Sequence, residues 1–249
     1  MRTAHGLVIR YGNWMFKYRN TVFPIVLLAL FLGFKPVPLA GDYRLDLWLD
    51  LFGVLVAGLG QALRAAVIGY AYIKRGGHKK KIYADRLVTE GFFAHARNPL
   101  YVGNLLILLG LFIIHNNPFV YTLGALFFLS VYLSIVAAEE VFLLQKFGSE
   151  YADYCRRVNR WLPDLRGLRE TVKGMCFNWR RVLLKDYGST YGWLLMAIMI
   201  GVYEAILNLD MEPSRGMLKS LGIIFALLTL GVVTIRHLKR SRILTEHPV

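Results

Sequence analysis

Long apolar runs alternate with charged segments along most of this chain. Six such runs occupy residues 22–39, 47–73, 100–115, 118–138, 191–209 and 217–235. A helix of roughly 20 apolar residues crosses the hydrocarbon core of a bilayer, and backbone groups that face lipid must be paired within the span. The pattern therefore predicts an all-α, polytopic membrane protein with about six transmembrane helices. The first run is the weakest, because Lys35, Pro36 and Pro38 lie near its end, and the third is short.

The basic residues are distributed unevenly among the segments that join these runs. The chain has a formal net charge of +14, and 25 of its 30 Lys and Arg residues fall in segments 1–21, 74–99, 139–190 and 236–249. Cytoplasmic loops of membrane proteins carry such an excess. The distribution therefore predicts that these four segments, including both termini, face the cytosol. The basic stretch 74–81 is expected to anchor the topology at anionic headgroups.

Composition also argues against several classes of partner. The basic residues are not interleaved with aromatic residues in a recognisable nucleic-acid-binding motif, so no nucleic acid is expected. The two cysteines, Cys155 and Cys176, form neither a CxxC pair nor a cluster with histidine. We therefore expect no disulfide framework and no metal. The first 20 residues are polar, basic and aromatic, which is unlike a cleavable signal sequence.

Three regions follow from this pattern. After residue 138, apolar side chains recur at three- or four-residue spacing, which predicts a helix that leaves the membrane and ends near Pro163. A basic segment and a second apolar hairpin without obvious chemistry come next. We therefore expect a membrane core with a cytosol-facing site at 1–163, a basic linker at 164–190 and a two-helix appendage at 191–249.

The nearly uncharged segment 102–138 is flanked by two polar clusters, Arg97-Asn98-Pro99-Leu100-Tyr101 before it and Glu139-Glu140 after it. A segment of that length crosses a membrane and returns, which would place both clusters at one face. Proline suits the first turn of a helix. The free amide groups of that turn, next to Arg97, favour a bound carboxylate, although a simple helix cap with an arginine at the interface is the alternative.

Glu139 and Glu140 are adjacent carboxylates at the predicted C-terminal end of a helix. Negative charge there opposes the helix dipole, and paired carboxylates repel each other, so helix propensity does not explain them. Two interpretations stay open. The glutamates either form ion pairs with nearby Lys or Arg residues or bind a cationic group of a ligand.

Arg64 lies within the second apolar run, where an arginine costs roughly 2.5–3.5 kcal/mol at mid-helix on insertion scales. Its side chain either reaches the interface or contacts an anionic group of a cofactor or substrate. Gly58 and Gly60 come shortly before it. Paired glycines in a membrane helix favour helix packing over ligand binding.

A longer pattern resembles a known family. It comprises Leu87-Val88-Thr89-Glu90-Gly91, then Arg97-Asn98-Pro99-Leu100-Tyr101-Val102-Gly103, then Glu139-Glu140 followed by Phe147-Gly148-x-Glu150-Tyr151-x-x-Tyr154. In this order and spacing, over about 47–163, the pattern resembles the integral-membrane isoprenylcysteine carboxyl methyltransferase and phospholipid methyltransferase group. Asn98 departs from the group, in which a histidine is common at this position.

The resemblance implies an S-adenosylmethionine-dependent methyltransferase that acts on a lipid-borne carboxylate or amine. It implies a cytosol-facing cofactor site formed before the third span and after the fourth, by Leu87, Val88, Gly91, Arg97, Asn98, Pro99, Tyr101, Glu139 and Glu140.

The expected roles follow from the charges of this cofactor. Arg97 complements its carboxylate and a glutamate its ammonium, and we expect catalytic roles for Arg97 and Glu140. Arg64, Tyr151 and Tyr154 are expected to contact the substrate. The expected partners are a lipid or lipidated acceptor and the bilayer itself.

Two other functions stay open at this point. Steroid and sterol reductases share a similar Arg-x-Pro-x-Tyr loop but use NADPH, and a non-catalytic membrane scaffold is the third possibility. The paired glutamates and the aromatic segment after the fourth span favour the transferase. The expected location is a bacterial inner membrane or an endoplasmic-reticulum-type membrane.

Overall fold

The computed structural model describes residues 2–70, 82–208 and 212–245, apart from the side chains of residues 2–4, 43, 212 and 213. The predicted basic anchor at 74–81 lies outside the described residues. Short 3₁₀ helices occur at Leu39–Gly41 and Gly91–Ala94. The described α-helices are α1 (Arg2–Gly33), α2 (Tyr43–Tyr70), α3 (Pro99–His115), α4 (Pro118–Phe147), α5 (Ser149–Arg157), α6 (Leu168–Lys173), α7 (Trp179–Leu207) and α8 (Glu212–Arg240).

Five helices contain segments long and apolar enough to cross a membrane: His5–Gly33, Arg44–Tyr70, Pro118–Phe147, Trp179–Leu207 and Ser214–Arg240. The remaining predicted span is α3, which has 17 residues and is about 26 Å long at 1.5 Å per residue. The all-helical membrane fold predicted from the sequence is confirmed. The number of crossings and their orientation stay predictions.

Helix α3 lies in the interior of the bundle, and most of its residues are buried. Leu111 and Phe112 of α3 belong to one hydrophobic core with Phe31 of α1, Phe128 of α4 and Trp193 of α7. A helix too short to cross the bilayer leaves non-helical backbone at membrane depth, and such backbone is tolerated when it is covered by protein rather than by lipid. The burial of α3 therefore explains how so short a helix fits into the bundle.

Helix α1 begins at Arg2, well before the predicted start at residue 22. Its buried residues Met15 and Phe16 pack against Val131 and Ile135 of α4. Hydropathy averaged over a window detects the apolar stretch, but it misses a helical extension that has one packed face among polar residues. The same error places the predicted starts of α7 and α8 too late.

Helix α4 continues past residue 138 as predicted, but the expected extension to Pro163 is wrong. Gly148 has φ 54° and ψ −124°, and the chain restarts as α5, which ends at Arg157. Glycine adopts positive φ at little cost, so this residue can end one helix and redirect the next. Helix α5 is consequently held near the start of α3, where the Tyr154 hydroxyl donates to the Phe93 carbonyl at 2.7 Å.

Helix α7 departs from the predicted linker and appendage. It begins at Trp179, inside the predicted linker. Trp193, Met196 and Ile200 of α7 belong to the main hydrophobic core, and α8 packs on α7. The prediction of a peripheral hairpin is therefore wrong for α7, which is part of the bundle.

Helices α2 and α3 approach each other closely through small residues. A Cβ atom added at Gly60 would lie 2.5 Å from the carbonyl oxygen of Gly103, whereas one added at Gly58 would meet nothing within 4 Å. Small residues permit such close approach in membrane bundles. The expected packing role is confirmed for Gly60, and this contact holds the start of α3 against α2.

Replacing Gly60 with Ala should lower the free energy of unfolding by about 1–3 kcal/mol, because the new methyl group meets backbone rather than a flexible side chain. Gly58→Ala is the matched control, and it should be neutral or stabilise by up to about 1 kcal/mol through helix propensity. Denaturant titration in detergent measures both variants. Equal losses of stability would contradict the close α2–α3 contact.

Candidate active site

The two polar clusters predicted from the sequence meet at one end of the bundle. Arg97, just before α3, forms an ion pair with Glu140 of α4, with 3.0 Å between Nη1 and Oε1. The Tyr101 hydroxyl donates to Glu139 Oε1 at 2.7 Å. The prediction that the α3–α4 hairpin returns both clusters to one face is therefore confirmed.

The adjacent glutamates have different partners because successive residues of an α-helix project about 100° apart. Glu139 projects toward α3 and α1, where the Arg19 Nη1 donates to the Tyr101 hydroxyl at 3.1 Å. Arg19, Tyr101 and Glu139 thus form a hydrogen-bonded chain across three helices. Glu140 instead contacts the loop before α3 and the segment after α5.

Arg160, in the segment after α5, is a second arginine bound to Glu140. Its Nε lies 2.9 Å from Oε1 and its Nη2 lies 2.5 Å from Oε2. The Arg97 amide donates to the Asn159 carbonyl at 2.8 Å, and the Asn98 side chain donates to the Arg160 carbonyl at 3.0 Å. Asn98 therefore fixes the segment that carries Arg160 to the start of α3.

A cavity of about 580 Å³ lies beside Glu140. This volume is within the range of roughly 300–1,000 Å³ that is usual for small-molecule sites. Its walls come from α1, α4, α5 and the segment after α5, and its lining residues are His5, Ala137, Glu140, Val141, Leu144, Tyr151, Ala152, Cys155 and Arg160. Apolar walls with a few charged groups are typical of a cofactor or ligand pocket.

Glu140 and Arg160 line this cavity, and Arg97 does not line it but pairs with Glu140, so that two arginines share one carboxylate. The Arg97 Nε is buried and has no hydrogen-bond partner among the described residues. Burial opposes the charge on Arg97, but the Glu140 carboxylate and the Cys155 side chain outweigh it and raise the pKa of Arg97. An arginine that stays cationic with an unfilled donor suits an anionic group of a ligand.

The two tyrosines of α5 have different environments. Tyr151 lines the cavity, and burial raises its pKa, as do its contacts with Cys155 and Glu140. Its phenol is therefore neutral at physiological pH and acts through hydrogen bonds or its ring. Tyr154 does not line this cavity, and its hydroxyl binds the Phe93 carbonyl. Tyr154 is thus buried and bonded to the loop before α3, and its predicted substrate contact stays a prediction.

The other predicted cofactor residues lie around the loop before α3. Pro99 occupies the first turn of α3, as predicted. Of the predicted cofactor residues only Glu140 lines the cavity; Leu87, Val88, Gly91, Arg97, Asn98, Pro99, Tyr101 and Glu139 do not. Val88 packs on a hydrophobic cluster between α2 and the second 3₁₀ helix, and Gly91 begins that helix with φ 61°. Val88 therefore lies against α2 and Gly91 lies in the second 3₁₀ helix, and neither residue is at the cavity.

Arg64 is buried, and its guanidinium forms an ion pair with Asp186 of α7. It also donates to Asn104 of α3. Gln61 donates to the second Asp186 oxygen at 2.9 Å and accepts from the Trp193 indole at 3.1 Å. The expectation that the Arg64 side chain reaches the membrane–water interface is therefore wrong. Asp186 balances the charge of Arg64, and the predicted substrate contact of Arg64 stays a prediction.

Sequence reasoning missed three charged residues with specific partners: Arg19, Arg160 and Asp186. Arg19 and Asp186 each lie beside an apolar run, where a charged residue signals a partner inside the bundle. Arg160 gave no such signal, because it is one of many basic residues in its segment. Only the fold of α5 against α3 brings it to Glu140.

Comparison with known proteins matches the part of the chain that contains Arg97, Glu139 and Glu140. Residues 50–150 match the phospholipid methyltransferase family model. Mouse protein-S-isoprenylcysteine O-methyltransferase is 32% identical over 124 residues, which cover 49% of this chain and 44% of the mouse protein. The human counterpart is 31% identical over the same shares. The cobalt-zinc-cadmium resistance protein CzcN of Cupriavidus metallidurans is 31% identical over 164 residues, 64% of this chain and 70% of that protein.

The fold and the site define an all-helical integral membrane protein with a charged cavity at one end of its bundle. The chain belongs to the family of membrane methyltransferases that includes the phospholipid methyltransferases and the isoprenylcysteine carboxyl methyltransferases. It spans less than half the length of the mouse and human relatives. No solved structure matches the chain.

Replacing Asp186 with Leu should lower the free energy of unfolding by about 3–5 kcal/mol, because it leaves the Arg64 charge buried without its partner. The double variant Arg64→Met, Asp186→Leu should recover most of that loss, since no buried charge then remains. A double-mutant cycle followed by denaturant titration measures the coupling. If the loss of stability in the double variant equals the sum of the losses in Arg64→Met and Asp186→Leu, the two charges do not stabilise each other.

Proposed function

We propose that this protein is an S-adenosylmethionine-dependent methyltransferase that methylates a lipid-borne carboxylate or amine. The observation that carries the proposal is the meeting of Arg97 and Glu140 beside a cavity of suitable size. Membership of a methyltransferase family implies a methyl donor. The mouse and human relatives are named for O-methylation of isoprenylcysteine, which supports a lipidated acceptor.

The residues at the cavity fit the charges of S-adenosylmethionine, which when bound supplies an activated methyl group. Arg97 has a buried, unfilled Nε donor, and the Arg160 side chain is 47% exposed. Either guanidinium can bind the carboxylate of the methionine moiety. Glu140 can bind its ammonium group, and the ring of Tyr151 can contact the adenine or the sulfonium.

The contribution of the chain itself is alignment of the reacting groups and exclusion of water. Arg97 and Arg160 hold Glu140 from two directions, and Arg19 with Tyr101 holds Glu139. A carboxylate acceptor is already ionised at neutral pH and needs a cation to orient it, whereas an amine must lose a proton. The arginines could orient a carboxylate acceptor, and the glutamates could take the proton from an amine acceptor. The proposal therefore includes both kinds of acceptor.

A second cavity, of about 680 Å³, lies on the other side of Val141, which lines both cavities. It is formed mainly by α1 and α4, with apolar walls from Ile9, Trp14 and Phe142 and with Lys17 as its cation. This position suits an acceptor whose chains remain in the bilayer. We assign lateral entry from lipid to the acceptor and entry from the cytosol to the cofactor.

The cytosolic assignment rests on the distribution of charge. The end of the bundle that carries Arg97 and Glu140 adjoins segments 2–21, 82–99 and 139–190, which contain 16 of the 30 Lys and Arg residues. Excess positive charge favours the cytoplasmic side. The assignment holds for a bacterial inner membrane and for the endoplasmic reticulum.

Purified protein should bind S-adenosylhomocysteine in preference to NADPH, which distinguishes the methyltransferase from a reductase. Glu140→Gln should weaken that binding by about tenfold or more, because a charge-assisted contact is worth roughly 1.5–3 kcal/mol. Glu150→Gln, a change at an exposed acid of α5, is the control and should bind normally. Equilibrium dialysis with labelled ligand measures all three proteins. Unchanged affinity in Glu140→Gln would remove this residue from the site, and preferential NADPH binding would favour the reductase.

Methylation should depend on the chain length of the acceptor. Chains that stay in lipid avoid exposure worth about 0.8 kcal/mol per methylene, so long-chain acceptors are held near the site at little cost. A labelled methyl donor, assayed with an acceptor series in mixed micelles, measures this dependence. Short soluble analogues that are methylated as efficiently as the lipids would contradict lateral entry.

A further inference from the structure

Three acidic side chains come together at the end of the bundle opposite the Arg97 site. Asp46 and Asp50 lie in the first two turns of α2, and Glu204 lies in the last turn of α7. One carboxylate oxygen from each residue lies within 4.8 Å of the others. Helices α2 and α7 run antiparallel, because the Asn178 amide at the start of α7 donates to the Gly69 carbonyl at the end of α2. The three acids therefore lie together where the first turns of α2 meet the last turn of α7.

Asp46 and Glu204 are buried and Asp50 is half-buried, and no Lys or Arg among the described residues forms an ion pair with any of the three. Asp46 is 8% exposed and Glu204 is 7% exposed. One oxygen of Asp46 accepts from the Leu39 amide at 3.0 Å. In the part of the chain that the structure describes, the Glu204 carboxylate receives no hydrogen bond, and Asp50 Oδ1 is buried without a partner.

We propose that Asp46, Asp50 and Glu204 bind one hard divalent cation. Oxygen ligands of a single Ca²⁺ or Mn²⁺ ion, at roughly 2.1–2.6 Å from the metal, lie no more than about 5 Å apart, and the cluster meets this limit. Carboxylate ligands without histidine or cysteine favour calcium, magnesium or manganese over zinc. Backbone carbonyls and water complete the coordination of such ions.

The position of the site gives the ion a structural role. Helix α7 begins beyond the segment 50–150 that matches the family model. The Arg64–Asp186 pair already links α2 to α7 deeper in the bundle. A cation held by Asp46, Asp50 and Glu204 would provide a second link at the other end. This proposal departs from the sequence-based expectation of no metal, which considered only cysteine and histidine.

The experiment uses the full chain, purified in detergent and freed of metal by chelation, with Mn²⁺ as the probe. Electron paramagnetic resonance of free Mn²⁺ should show one bound ion for each wild-type chain. Glu204→Gln and Asp50→Asn should each weaken this binding by about tenfold or more, since affinity depends on the number of charged ligands. Glu170→Gln, a change at an exposed acid of α6, is the matched control and should bind Mn²⁺ like the wild type.

Thermal unfolding provides an independent readout. Mn²⁺ should raise the melting temperature of the wild type and of Glu170→Gln, but not that of Glu204→Gln. In chelator, Glu204→Gln should be at least as stable as the wild type, because it removes a repelling carboxylate and can therefore be purified and compared.

Two results would overturn the site. One is the absence of stoichiometric Mn²⁺ binding to the wild type, in which case the three acids share protons instead. The other is equal Mn²⁺ affinity in Glu204→Gln and Glu170→Gln. Neither result depends on methyl transfer, so the proposed enzyme activity stands or fails separately.

Discussion

The ion pair between Arg97 and Glu140 is the contact on which the rest of the site depends. The α3–α4 hairpin creates it, because its uncharged side chains must stay in lipid or in the core and so return the chain to the face that it left. The same pair then recruits Arg160 and, with it, the segment after α5. The Arg97–Glu140 pair thus acts together with the Asn98–Arg160 and Tyr154–Phe93 hydrogen bonds to hold the cavity wall beside Glu140.

Buried charge is organised at several levels of the bundle. The chain from Arg19 through Tyr101 to Glu139 lies at the site, and the Arg64–Asp186 pair lies within the bundle. Each cation in these two groups has an acceptor nearby, as the high energy of an unpaired buried charge requires. Asp46, Asp50 and Glu204 differ, because no cation among the described residues pairs with them. This unbalanced negative charge is the reason to assign them a cation.

The proposed active site is built from α3, α4, α5 and the loop before α3, whereas α7 supplies support. Asp186 neutralises Arg64, and Trp193 packs into the core that surrounds α3. A charged residue in a membrane helix is tolerated when a neighbouring helix provides its partner. The C-terminal half is thus required by the residues of the first half, even though it carries no recognisable motif of its own.

The sequence alone determined the all-helical membrane fold, the short third helix and the meeting of Arg97 with Glu140. These follow from hydropathy and from the length of an uncharged hairpin, which are local properties. It did not determine the break at Gly148, because a glycine after a long helix is compatible with several backbone conformations. The partners of Arg64 and Arg19, and the second partner of Glu140, Arg160, were decided only by the tertiary structure. Charges can pair only where their helices pack side by side, and the spacing of charged residues along the chain does not reveal which helices are neighbours.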